Sequence, residues 1–78
     1  MLQLKYKLEA SNYFFDNGDL TRELQIAVED LVFTNGKPTK GEYYEFPRNM
    51  YVWLVYNHVV IYSIKDNRLI VRVVKPLN

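Results

Sequence analysis

Cysteine is absent from the 78 residues, which excludes disulfides, thiol nucleophiles and thiolate metal sites and suits a reducing cytoplasm. A single histidine, His58, leaves little room for a histidine-built zinc site or a Ser-His-Asp triad, and no cofactor is expected. No apolar run approaches the roughly 18 residues of a membrane span. The start, Met1-Leu2-Gln3-Leu4-Lys5, alternates apolar and polar residues, so no secretory signal is expected. The net charge of +1 argues against a nucleic-acid binder that works by bulk charge.

What is present is ordinary globular material: 49% apolar and 24% charged, enough for one domain and unlike a disordered chain. So short a chain buries only about 60–65% of its unfolded surface. Seven Tyr, four Phe and Trp53 are therefore the main resource for a core, since large rings bury much area per residue. Charge is unevenly spread. Residues 1–36 hold three basic and six acidic side chains, and residues 37–78 hold seven basic and three acidic ones. A basic sheet region facing a polyanion or an acidic partner would have this distribution, and so would chance in a small chain.

Leu2, Leu4, Tyr6 and Leu8 alternate with polar residues and predict a half-buried strand. A short helix from Glu9 to about Phe15 follows, with Ala10, Phe14 and Tyr13 facing inward. Asp16-Asn17-Gly18 is a turn, and Asp19 has the residue type of an N-cap for a second helix. Leu20, Leu24, Ala27, Val28, Leu31 and Val32 form that helix's apolar stripe. Asn35-Gly36-Lys37-Pro38 ends it. Four strands are predicted next: Glu42 to Phe46, Met50 to Tyr56, His58 to Ile64 and Arg68 to Val74. Asn57 and Asp66-Asn67 supply tight turns between the last three. The reading is an α+β domain over residues 1–78: an N-terminal strand, two helices, then a four-stranded antiparallel meander.

The last three strands are apolar on both faces. If helices cover Trp53, Val55, Val60, Tyr62, Ile64, Leu69, Val71 and Val73, the other side carries Val52, Leu54, Tyr56, Val59, Ile61, Ser63, Ile70, Arg72 and Val74. An antiparallel sheet with one solvated face normally shows polar residues there. Two short helices cannot cover both sides, so either the sheet curls on itself or another chain covers the second face. Val52, Leu54, Tyr56, Val59, Ile61 and Ile70 are the candidate interface, taken by a partner or by a second copy.

Thr39-Lys40-Gly41, Tyr51-Val52-Trp53-Leu54-Val55, His58-Val59-Val60-Ile61-Tyr62-Ser63-Ile64 and Arg68-Leu69-Ile70-Val71-Val73 together resemble the RelE/ParE family of toxins from bacterial toxin–antitoxin systems. The resemblance implies the layout β-α-α-β-β-β-β and a cognate antitoxin lying on the sheet. Members that cleave messenger RNA in the ribosome place basic residues on the open sheet face and a general acid or base near the C-terminus. Here the matching strand positions are Val52, Leu54 and Val59, and the closing motif falls on Val74-Lys75-Pro76. The resemblance thus implies a toxin without the conventional mRNA-cleaving groups.

Arg72 and Lys75 are the surviving basic candidates for phosphate contact, though a snorkelling Arg and a chain-end Lys would look the same. Lys37, Lys40 and Arg48 would extend a basic rim or stand in solvated loops. His58 aligns with a family Tyr and is a weak general-base candidate. Tyr62 matches a core Tyr, and Glu42 and Glu45 read as a solvated strand face. Three functions stay open: a toxin acting on a protein target, a non-catalytic dimeric interaction module, and a divergent ribosome-dependent endoribonuclease using Arg72, Lys75 and the Lys40 loop.

Overall fold

The computed structural model describes residues 1–78. The expected α+β order is present: strand β1 (Gln3–Tyr6), helices α1 (Leu8–Asp16) and α2 (Arg22–Asp30), then strands β2 (Glu42–Phe46), β3 (Met50–Val55), β4 (His58–Lys65) and β5 (Arg68–Pro76). A 3-10 turn over Leu31–Phe33 extends α2. One five-stranded sheet has the order β1-β5-β4-β3-β2, antiparallel throughout except for the parallel pair β1–β5. Both helices therefore belong to the crossover that returns β1 to the far side of the meander, and they cover one face of the sheet.

That covered face holds the core. Trp53, Tyr62, Leu69, Val60 and Val71 from the sheet meet Ala10 and Phe14 of α1 and Leu24, Val28 and Leu31 of α2 and its extension. The polar atoms that the rings carry inward are matched. Tyr62 Oη donates to the Gly36 carbonyl at 2.7 Å, and Trp53 Nε1 donates to the Lys40 carbonyl at 2.8 Å. Those two bonds pin the long α2–β2 loop to the sheet. Two glycines make the close approach possible: a Cβ on Gly36 (φ +80) would lie 2.2 Å from Ile64 Cδ1, and one on Gly41 (φ +72) 2.2 Å from the Leu54 carbonyl oxygen. The Lys40-Gly41 step is thus a packing device.

Several boundaries differ from expectation. Leu8 does not close the first strand; it opens α1 and is 75% exposed. Asp19 does not cap α2. The turn before that helix is organised instead by Thr21, which is buried, donates from Oγ1 to the Asn17 carbonyl at 2.8 Å and accepts from Gln25 Nε2 at 2.9 Å. Leu20 is left outside at 84% exposure, and Asp19 makes only an exposed ion pair with Arg22. Tyr56 is not the last residue of a strand. It forms a two-residue turn with Asn57, both at positive φ (50° and 59°), between β3 and β4.

The largest correction lies in β5. Tyr62 pairs with Val71 but Ile61 pairs with Val73, so Arg72 is the extra residue of a β-bulge. Alternation inverts beyond it. Val74, expected outside, points into the core at 3% exposure, and Val73, expected inside, joins Ile61 on the open face.

A candidate interaction face

Strand register assigns the open face residue by residue. Three rows run across the sheet: Glu42–Leu54–Val59–Lys75, then Tyr44–Val52–Ile61–Val73, then Phe46–Met50–Ser63–Ile70–Lys5. A fourth, Lys65–Arg68–Gln3, lies at the β4–β5 turn. Val52, Leu54, Val59, Ile61, Ile70 and Val73 are half-buried with no element of the chain above them. The face is therefore aliphatic at its centre, aromatic and acidic along β2, and basic along β5 and β1. Tyr56 does not belong to it. Its ring sits on the helix side, where its hydroxyl accepts from Lys40 Nζ at 3.1 Å and it lines a cavity of about 70 Å³ beside α2. That volume is a fraction of the roughly 300–1,000 Å³ of a small-molecule pocket.

The basic residues divide between the two sides. Arg72 is on the open face because the bulge puts it there, and its Nε donates to Ser63 Oγ at 2.9 Å. The outer guanidinium nitrogens stay available, in a fixed orientation. Lys75 stands at the end of its row, paired across from Val59. Lys37 and Lys40 are on the other side. Lys37 bonds Glu45 and lies 5.3 Å from the centre of the Tyr51 ring, and Lys40 is held by Tyr56. Each ammonium is raised above its ordinary pKa chiefly by that hydrogen bond. Arg48 occupies the β2–β3 turn at φ +66. These three side chains form no single rim.

His58 is engaged on the helix side as well. Its Nδ1 lies 2.7 Å from the Tyr56 carbonyl, which can only accept, so Nδ1 carries the proton. Nε2 then accepts from the Tyr13 hydroxyl at 2.8 Å. Both ring nitrogens are occupied, and the sheet itself separates the ring from Arg72. Sequence reasoning missed both features: nothing in the sequence marks Tyr13 as the partner of His58, or Arg72 as a bulge residue.

These positions set what the face can do. Phosphodiester cleavage needs an acid and a base within hydrogen-bond reach of one phosphate. The carboxylate of the open face, Glu42, lies on β2, three strand spacings or about 14 Å from β5 with Arg72 and Lys75. No group of three or more His, Asp or Glu is placed to hold a metal ion. No helix is long and apolar enough to cross a membrane. The arrangement is an aliphatic surface with opposite charges on its two sides.

No protein-family model and no curated protein matches the sequence. Solved structures do, and they show the fold: an α+β domain of one sheet and two helices, like that of YoeB. The chain is similar to YoeB in a YoeB–YefM complex from Staphylococcus aureus, at 17% identity and a TM-score of 0.68, covering 96% of this chain and 95% of that one. It is similarly close to the chain of a YoeB dimer from Staphylococcus aureus, at 18% identity and a TM-score of 0.67, with 95% and 94% covered. The resemblance in the sequence is thereby borne out for the fold over nearly the whole length.

Proposed function

We propose that the chain is a RelE/ParE-like toxin component of a bacterial toxin–antitoxin pair, and that it works by docking a protein segment on its open face without cutting RNA. The observation that carries this reading is the make-up of that face. An aliphatic centre of Val52, Leu54, Val59 and Ile61 replaces a polar site, and its acidic and basic edges stand too far apart to share a phosphate. Such a surface buries apolar side chains of a partner and fixes their register by charge at the rim. The likeness to YoeB, solved in complex with YefM, supports an antitoxin as one occupant, and the absence of cysteine suits action in a reducing cytoplasm.

Induction in a bacterial host lacking the antitoxin tests the reading. Growth arrest is expected, retained by Arg72→Ala and abolished by Leu54→Asp with soluble protein present. Arrest lost in Arg72→Ala would instead favour the divergent ribonuclease. No arrest from soluble wild-type chain would leave a non-catalytic interaction module of the same fold.

A further inference from the structure

The two edges of the sheet are finished differently. At the β1 edge, Gln3 and Lys7 donate their N–H groups inward, to the Asn67 and Val71 carbonyls, so Leu2, Leu4 and Tyr6 present theirs outward. That edge is closed at its start, where Leu2 N–H donates to the Val32 carbonyl at 3.4 Å, and Leu4 packs against the core. The strand is only four residues long and carries Lys5, and both features blunt an edge. β2 has neither. The Ile64 N–H bonds the Asn49 carbonyl, which fixes the alternation of β3: Tyr51, Trp53 and Val55 face β4, and Met50, Val52 and Leu54 face β2. Their partners Glu42, Tyr44 and Phe46 turn their backbone groups toward β3, so Tyr43 and Glu45 turn theirs outward. All five residues of β2 are exposed, and no other backbone group of the chain bonds the outward ones. No proline or lysine lies within the strand.

We propose that the outer edge of β2 takes an extended segment of a partner protein as a sixth strand, with a lysine or arginine of that segment beside Glu42. The backbone groups of Tyr43 and Glu45 supply the main-chain bonds of such an addition, and alternate side chains set its specificity. Charge identifies the occupant. The chain's two ion pairs are Arg22–Asp19 and Lys37–Glu45, so Glu42 has no cation and accepts only from Tyr44 Oη, at 2.8 Å. Lys40, two residues away, is held on the other side of the sheet by Tyr56. The added strand therefore sets a cation beside Glu42 and apolar side chains beside the Tyr44 and Phe46 rings, at every second position. A second copy of β2 is a poorer occupant. Paired antiparallel about Tyr44, it sets each Glu42 across from Phe46 and each Lys40 across from Arg48, so the carboxylates stay without cations and like charges meet. The edge is separate from the aliphatic open face and binds independently of it.

Titration of the isotope-labelled full chain with a short peptide that alternates lysine and valine, followed by amide NMR and hydrogen exchange, tests this. Saturable shifts centred on the Tyr43 and Glu45 amides are expected at millimolar peptide, with exchange of those two amides slowed. Glutamate in place of the lysines should weaken binding by about tenfold or more, and Glu42→Lys should reverse that preference. A peptide N-methylated at alternate residues, on the edge that would meet β2, should not bind. Tyr43→Pro removes one outward N–H and spares the bonds to β3, so it should stay folded by circular dichroism and lose the peptide, whereas Tyr43→Ala should keep it. Should Tyr43→Pro fail to fold, Glu42→Lys and the N-methylated peptide decide the matter. No shift at Tyr43 and Glu45, or equal binding of the N-methylated or glutamate peptide, would overturn the proposal. So would protection of those two amides that grows with protein concentration alone, which would assign the edge to a second copy. Growth arrest is a separate readout and bears only on the toxin reading.

Discussion

The two faces of the sheet are almost equally apolar in sequence, yet the structure treats them differently. On the helix-covered side, Trp53, Val60, Tyr62, Leu69 and Val71 are at most 1% exposed, and their polar atoms are bonded to the Gly36 and Lys40 carbonyls. On the open side Val52, Leu54, Val59, Ile61 and Ile70 stop at half-burial, with acidic charge on β2 and basic charge on β5, β1 and the end of β4. A face built for the chain's own stability satisfies its polar groups within the chain. A face left half-covered with charges at its rim leaves its apolar groups without partners in the chain, which is what the proposed docking role requires.

Substitutions that act on one face and spare the other break this comparison most plainly. Trp53→Ala should cost about 3–5 kcal/mol and show the largest fall in thermal midpoint, since it empties the centre of the core and frees the Lys40 carbonyl. Gly36→Ala should cost about 1–3 kcal/mol in chemical denaturation through its positive φ and the clash with Ile64. In an Ile64→Val background, which lacks the clashing Cδ1, only the backbone part of that cost should remain. Tyr62→Phe should cost about 1–2 kcal/mol by leaving the Gly36 carbonyl without its donor. Leu54→Ala, on the open face, should cost less than about 1 kcal/mol in dilute protein while weakening any association through that face.

Tyr62 also supplies a pH test. Burial is the main cause that holds its phenol well above the ordinary 10.0. In the unfolded chain the group ionises near 10, and in the folded chain it stays protonated until a higher pH. Its contribution is therefore complete below about pH 10 and lost as pH rises from there through the folded value. Denaturation midpoints of the wild type should fall above about pH 10, and those of Tyr62→Phe should fall less steeply.

Much of the architecture was legible because strand alternation, Asn-containing turns and the Gly36-Lys37-Pro38 stop are local signals. The features that escaped notice depend on distant partners. A period of two carries no mark of the bulge at Arg72, so Val73 and Val74 exchanged sides. Tyr56 has no sequence preference for positive φ, and only Asn57 announced the turn that takes both. Asp19 has the chemistry of an N-cap, but the buried Thr21 won that place through its bonds to Asn17 and Gln25. Nothing local predicted that β1 would pair in parallel with β5. The candidate site followed the same rule. Its apolar centre was read directly, whereas the separation of Lys37, Lys40 and His58 from Arg72 on opposite sides of the sheet emerged only from tertiary structure.

The most direct test of a docking face without RNA chemistry is to add the purified chain, and its Arg72→Ala variant, to translating bacterial ribosomes and follow the integrity of the message. The account predicts uncut message with both proteins. Message cut at the ribosome by the wild-type chain and left intact by Arg72→Ala would contradict it.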